Sequence, residues 1–177
     1  MDTRDTTSLG HVQFTGNLDP TNCYIDDIVI AQGTAPHAQI GLHRIHTLLP
    51  DGAGTNTAWT GTNTDVDDPF GASDGDTTYA SESVVNDKQD YSFGNLTESP
   101  ASVLAVTLVT EARKTDAGVV GLTSYLLSNA VEGAGTEAGL AEAYGVVNDI
   151  FELNPDGSVA WTETTVNALL AGHEITT

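Results

Sequence analysis

Apolar residues in this chain come in short runs, separated by clusters rich in Gly, Asp, Asn and Thr. Runs of that length with β-branched residues predict strands, and the clusters predict turns. Residues 25–31 and 40–49 read as the first strands. Pro50-Asp51-Gly52-Ala53-Gly54 predicts a turn. Residues 56–76 predict a long surface loop with one short strand around Trp59; 77–85 and 91–96 predict two further strands. Residues 103–111 (Val-Leu-Ala-Val-Thr-Leu-Val-Thr-Glu) are almost unbroken apolar sequence. That pattern predicts a central strand buried on both faces, with Leu104 and Leu108 inside. A turn at 115–118 should fold it back onto 119–128 as a hairpin. Residues 132–142 predict a Gly/Ala loop, 144–153 the last long strand, and 154–157 (Asn-Pro-Asp-Gly) a turn. The period then changes. Val166, Leu169 and Leu170 stand at helical spacing, with Thr162 as N-cap and Gly172 as the stop. The expected fold is all-β, a β-sandwich or jelly-roll-like domain with one short C-terminal helix. An N-terminal arm (1–17) should precede a single domain (18–177).

Charge changes the picture most. The chain has 25 Asp plus Glu against 5 Lys plus Arg, a net charge of −20 in 177 residues. Yet only 17% of residues are charged, below the roughly 25% usual in soluble domains. The acids are therefore hardly balanced, and they are scattered rather than blocked as in a tail. Such a surface repels itself at low salt, whereas at molar salt the screening length falls to about 3 Å. The composition reads as adaptation to very high salt. It also argues against nucleic acid as a partner, because little is available to neutralise phosphates. No apolar run approaches the roughly 20 residues of a membrane span, so no membrane insertion is expected. The polar opening residues carry no apolar leader core, so no signal peptide is expected.

Candidate chemistry is sparse. Cys23 is the one cysteine, which excludes an intrachain disulfide; it reads as a buried, inert thiol. His43 and His46, three apart on a strand, would point to opposite faces and could not chelate one metal. No nucleophile elbow, P-loop or zinc-protease motif occurs, and no enzyme activity is expected. The acidic stretch Asp65, Asp67, Asp68, Asp74 and Asp76 is the candidate metal site. Hard cations take several loop oxygens, so Ca2+, Mg2+ or Na+/K+ are the ions to consider. Asp26-Asp27, inside an apolar strand, should send one carboxylate inward, where it needs partners. Trp59 and Trp161 read as caps on the sandwich core, with sugar stacking as the functional alternative. For assembly contacts the uncharged segments suit best: Val12 and Phe14 in the arm, and Gly133 and Gly135 where small residues allow close approach.

Several segments taken in order resemble a known domain. They are Tyr24-Ile25-Asp26-Asp27-Ile28-Val29-Ile30, then Ala58-Trp59-Thr60 and Val66-Asp67-Asp68. Next come Asp74-Gly75-Asp76-Thr77-Thr78-Tyr79 and Ala112-Arg113-Lys114-Thr115-Asp116-Ala117-Gly118. Last are Phe151-Glu152-Leu153-Asn154-Pro155-Asp156-Gly157 and Ala160-Trp161-Thr162. The series resembles the β-rich C-terminal domain of virion structural proteins of tailed bacteriophages and tailed haloarchaeal viruses. In such proteins a lectin-like domain precedes this one; about 20 residues stand in its place here, so it is expected to be largely missing. The resemblance implies a virion component made in the host cytoplasm. The expected placement is the head exterior, as a capsid decoration or turret protein. The alternatives are a tail or baseplate subunit and a host-attachment module. Implied partners are further copies of the chain (a trimer or pentamer), the major capsid protein or another virion protein, and a host-surface glycan or S-layer.

The charge generates the first prediction. Unfolding should be cooperative in 3 M KCl or NaCl, with a melting temperature that falls steeply towards 0.1 M, where the screening length is about 10 Å. Equal melting temperatures at the two salt concentrations would contradict halophilic adaptation.

Overall fold

A computed structural model describes residues 44–69 and 71–177. The expected strand at 25–31, the arm with Val12 and Phe14, Cys23, Asp26-Asp27 and His43 lie outside these residues. Residues His46–Thr177 form one compact unit. It contains β1 (Pro50–Thr57), β2 (Lys88–Phe93), β3 (Val106–Ala112), β4 (Gly121–Ser128), β5 (Val131–Ala134), β6 (Ala138–Gly139), β7 (Gly145–Phe151), a short helix α1 (Glu163–Asn167) and β8 (Leu170–Ile175). The fold is all-β and antiparallel. One sheet has the order β1-β2-β8-β4-β5, with β6 also against β4; the other is the pair β3-β7.

The two sheets share a core. Leu126 of β4 and Ala171 of β8 are buried with Trp161, Val166 and Leu169, and Val106, Leu108 and Phe151 of the small sheet pack on them. Helix α1 starts where the sequence predicts. Thr162 Oγ1 accepts from Thr165 N–H (3.2 Å), and Thr165 Oγ1 accepts from Thr162 N–H (2.9 Å). This reciprocal cap satisfies two donors that an uncapped helix would leave bare. The Trp161 indole N–H donates to Phe151 O at 2.8 Å, tying the helix entry to the end of β7.

Several expectations are corrected. Residues 50–54 are strand, not turn, and residues 44–49, expected as strand, are irregular. No side chain would fit at Gly54, and one at Gly52 would displace the Ser92 hydroxyl. A Cβ on Gly54 would lie 1.8 Å from Asp90 Oδ1, and one on Gly52 2.7 Å from Ser92 Oγ. Glycine here allows close approach of β1 to β2, and tertiary contact overrides its turn preference. Residues 77–85 form no strand beyond one bridge, Thr60 to Ser81. β3 is neither central nor buried on both faces; its burial alternates, and Leu104, just before it, is 57% exposed. β3 pairs with β7, so the expected hairpin from 103–111 to 119–128 is absent. The strand buried on both faces is β4, which lies between β8 and β5. The expected 132–142 loop contains parts of β5 and all of β6, both paired to β4. Gly172 does not stop the helix but lies within β8, the strand between β2 and β4.

The turn joining β4 to β5 is Asn129-Ala130, with Ser128 facing Val131 across it. Both residues have positive φ, 48° and 63°. That is the left-handed pair a tight hairpin needs, and glycine is the usual second residue. Ala130 carries a Cβ in a region that costs L-residues roughly 1–2 kcal/mol. Ala130→Gly should therefore raise stability by about 1 kcal/mol, measured by denaturant titration; a loss of stability would show the turn to be unstrained.

Candidate functional site

Register places two polar rows side by side across the large sheet, on its opposite faces. The first runs Asp90, Gly172, Tyr125, Ala134. Asp90 is fully buried and accepts four hydrogen bonds. Oδ1 takes the backbone N–H of Thr55 (2.5 Å) and of Asn56 (3.2 Å); Oδ2 takes Asn56 Nδ2 (2.6 Å) and the Tyr125 hydroxyl (2.9 Å). The β1–β2 register is irregular between Ala53 and Thr57. The carboxylate thus accepts from donors in a stretch where regular pairing lapses. Burial, then the hydrogen bond to Asp90, hold the Tyr125 phenol far above its ordinary pKa, so it stays a donor. On the same face Lys88 reaches Glu132 (2.7 Å) and Glu174 (3.2 Å) and lies 5.0 Å from the centre of the Tyr125 ring. Burial works against its charge, but the two glutamates outweigh that and raise its pKa.

The second row lies on the core face and runs Gln89, His173, Ser124, with Gly135 beyond. Two groups descend from the small sheet onto it. Thr110 Oγ1 is 2.8 Å from His173 Nε2. The Asp149 carboxylate occupies the space beside Gly135, 2.4–2.6 Å from where a Cβ would stand, and takes the N–H of Thr136 at 2.9 Å. Trp59 stands beside His173 with ring centres 6.3 Å apart, its indole N–H on Asp87 O. Ser, His and Asp are thus neighbours, but Ser124 is 0% exposed and no substrate reaches its hydroxyl.

The expected acidic site divides into separate tasks. Asp65 Oδ2 accepts from Thr62 N–H and Oγ1 (2.7 and 2.9 Å). Asp68 accepts from Asp74 N–H (2.9 Å), and Asp74 from Thr78 N–H and Oγ1 (3.1 and 2.9 Å). Asp67 is exposed. Asp76 is held by the Tyr144 hydroxyl (2.7 Å) and by the guanidinium of Arg113 (2.8 Å), which together lower its pKa. Among the described residues, no three His, Cys, Asp or Glu side chains gather as a metal centre. Gly133 and Gly135 do allow close approach, but to Pro155 and Asp149 of their own chain. His46 is exposed and outside any strand. Trp161 is buried in the core, as a cap should be.

One surface was not foreseen. The outer face of β3–β7 presents Thr107 beside Ile150, Val109 beside Asn148, and Glu111 beside Val146. Ile150 is 66% exposed, Val146 55% and Val109 44%, with Glu111 the one charge on these six positions. No signal in the sequence marked it: Val146-Val147, Asn148-Asp149 and Ile150-Phe151 place like residues on both faces of the strand. Compared with family models, curated proteins and solved structures, the chain matches none.

Burial pushes the His173 pKa down to about 4, against the opposing charge of Asp149. The unfolded value is about 6.5. Between these values the unfolded chain binds the proton and the folded chain does not. The stabilisation is therefore complete above pH 6.5 and is lost as pH falls towards 4, up to about 3 kcal/mol. His173→Gln should flatten the fall in melting temperature between pH 7 and pH 4.5. An unchanged slope would assign that fall to the carboxylates alone.

Proposed function

We propose that this chain is a structural module of a tailed virus of an extreme halophile, a decoration or turret protein on the outside of the head. The observation that carries the reading is the nearly uncharged outer face of β3–β7 on a chain of net charge −20. Surfaces of one sign repel at close range, so an acidic module meets further copies of itself most easily where carboxylates are absent. Three or five copies turning this face towards a common axis would bury Val109, Val146 and Ile150 without stacking acid on acid. The ordered segments that resemble virion domains of tailed viruses support the same reading, as does the salt-adapted composition. The polar groups inside the fold are spent on joining strands rather than on an open site.

The test is placement and assembly. The protein should be found at tens to hundreds of copies per particle, on the head. Val146→Glu with Ile150→Glu should leave a domain with unchanged circular dichroism that sediments as a monomer in molar salt and is lost from particles. A handful of copies at the tail tip would favour a baseplate subunit. Absence from particles would overturn the virion reading, and normal incorporation of the double variant would overturn the docking face.

A further inference from the structure

The two sheets treat their edges differently. An unpaired strand edge offers a row of N–H and C=O groups to another strand, and folds guard it with proline, bulges, charge or short length. The large sheet is guarded. β1 opens with Pro50 and its register breaks twice, while β5 and β6, on the other side, are four and two residues long. The small sheet is not. β3 and β7 are seven residues each, pair in unbroken register from Val106–Phe151 to Ala112–Gly145, and contain no Pro, Lys or Arg. Among the described residues they pair only with each other, and no backbone hydrogen bond leaves either strand for another segment. A groove of about 320 Å³ is lined by residues 145–149 of β7 but by Ala112 alone of β3, so β7 meets open space on the side away from β3.

We propose that the chain forms a trimer closed by strand pairing: the free edge of β3 in each copy takes the free edge of β7 in the next. This rests on the docking face proposed above and specifies how copies join there. The two edges match in length, and rotation about an axis along the strands leaves β3 of one copy antiparallel to β7 of its neighbour. Head-to-tail contacts of this kind close into rings, and a closed sheet has no edge left to guard. A partner of another kind would cover one edge and leave the other bare. Three copies give six strands; five give ten, beyond the roughly eight at which side chains still fill the interior. Charge permits the approach. Of seven plus seven residues only Glu111 and Asp149 are acidic, on a chain of net charge −20. The Asp149 carboxylate lies on the core side of β7, held by Thr136 N–H at 2.9 Å. The outer face becomes the barrel interior, in layers set by the existing pairs: Thr107 with Ile150, Val109 with Asn148, and Glu111 with Val146. The last layer, at one mouth of the barrel, brings three Glu111 carboxylates together, so closure requires screening by salt.

Sedimentation of the full chain in 3 M KCl should give three times the chain mass. Val109→Lys, which sets a charge inside the barrel, should give a monomer of unchanged circular dichroism. The amides of β3 and β7 that do not donate across the β3–β7 pair should exchange with deuterium about tenfold or more slowly in the trimer than in that monomer. Glu111→Gln, at an exposed position, should form trimers at lower salt than the unaltered chain; this arm decides the matter if Val109→Lys does not fold. A monomer, dimer or pentamer of the unaltered chain in 3 M KCl, a trimer whose outward amides remain fast, or an unshifted salt dependence in Glu111→Gln would overturn the ring. Trimers in solution with no copies on particles would overturn the virion reading and leave the ring standing. Copies on the head without trimers in solution would do the reverse.

Discussion

The large sheet depends on one buried carboxylate. Asp90 sits on β2, yet its partners come from β1 and β4, and β4 is separated from it by β8. Leaving a buried carboxylate unpartnered would cost several kcal/mol. That penalty makes the arrangement around it specific. Gly54 leaves room for the carboxylate, and Gly172 stands in the row between Asp90 and Tyr125. A Cβ at Gly172 would lie 1.8 Å from Gln89 O. The two glycines and the carboxylate are therefore one device: backbones approach closely because side chains are missing, and the resulting lapse in regular pairing is met by a side-chain acceptor.

The same logic governs the few basic residues. In a chain this acidic a cation is scarce, and each described one that pairs with an acid ties distant segments together. Lys88 joins β2 to β8 and β5 through Glu174 and Glu132. Arg113, just after β3, fixes Asp76 of the long loop, with Tyr144 closing the third side. Exposed pairs contribute little on their own, commonly under 1 kcal/mol, and salt screens them. Their part is to set which loop lies against which strand, while burial of Leu126, Trp161 and Leu169 supplies the main stabilisation.

What the sequence made legible follows from which contacts are local. The all-β class, β7, the 154–157 turn and the Thr162 cap all rest on neighbours within a few residues, and each is read from its own segment. The strands β1 and β8 rest on partners far away, and β5 on a tight hairpin whose Asn129-Ala130 turn lacks the usual glycine; their own glycines hid all three. Gly52, Gly54, Gly133 and Gly172 look like punctuation when read locally; in the fold they are places where another strand, a proline ring or a carboxylate fills the space of a side chain. β3 misled in the opposite sense. Its unbroken apolar run argued for burial on both faces, but it belongs to a two-stranded sheet whose outer face lies open. The 65–76 carboxylates were legible as a cluster but not as separate loop acceptors, because Asp serves turns and ions with the same oxygens. The polar row on the core face was invisible for another reason: Ser124, Asp149 and His173 meet only through the pairing of β4 with β8 and the packing of β7 above them.

Salt connects the acidic surface to the open face. Screening weakens repulsion between carboxylates, and salts excluded from the surface strengthen burial of apolar groups. Both effects act in the same direction at Val109, Val146 and Ile150, where apolar contact is available and charge is sparse. Other exposed apolar side chains, among them Ile45, Val119 and Val159, feel both effects too, but they stand outside the paired strands. Rising salt should therefore favour the compact chain first, through its core and the relief of repulsion. Under the proposed function, contact between copies then follows through the outer face of β3–β7. In the proposed assembly, the surface charge directs association to this face by disfavouring the others, and adding carboxylates beyond its rim would sharpen that choice without weakening the contact itself.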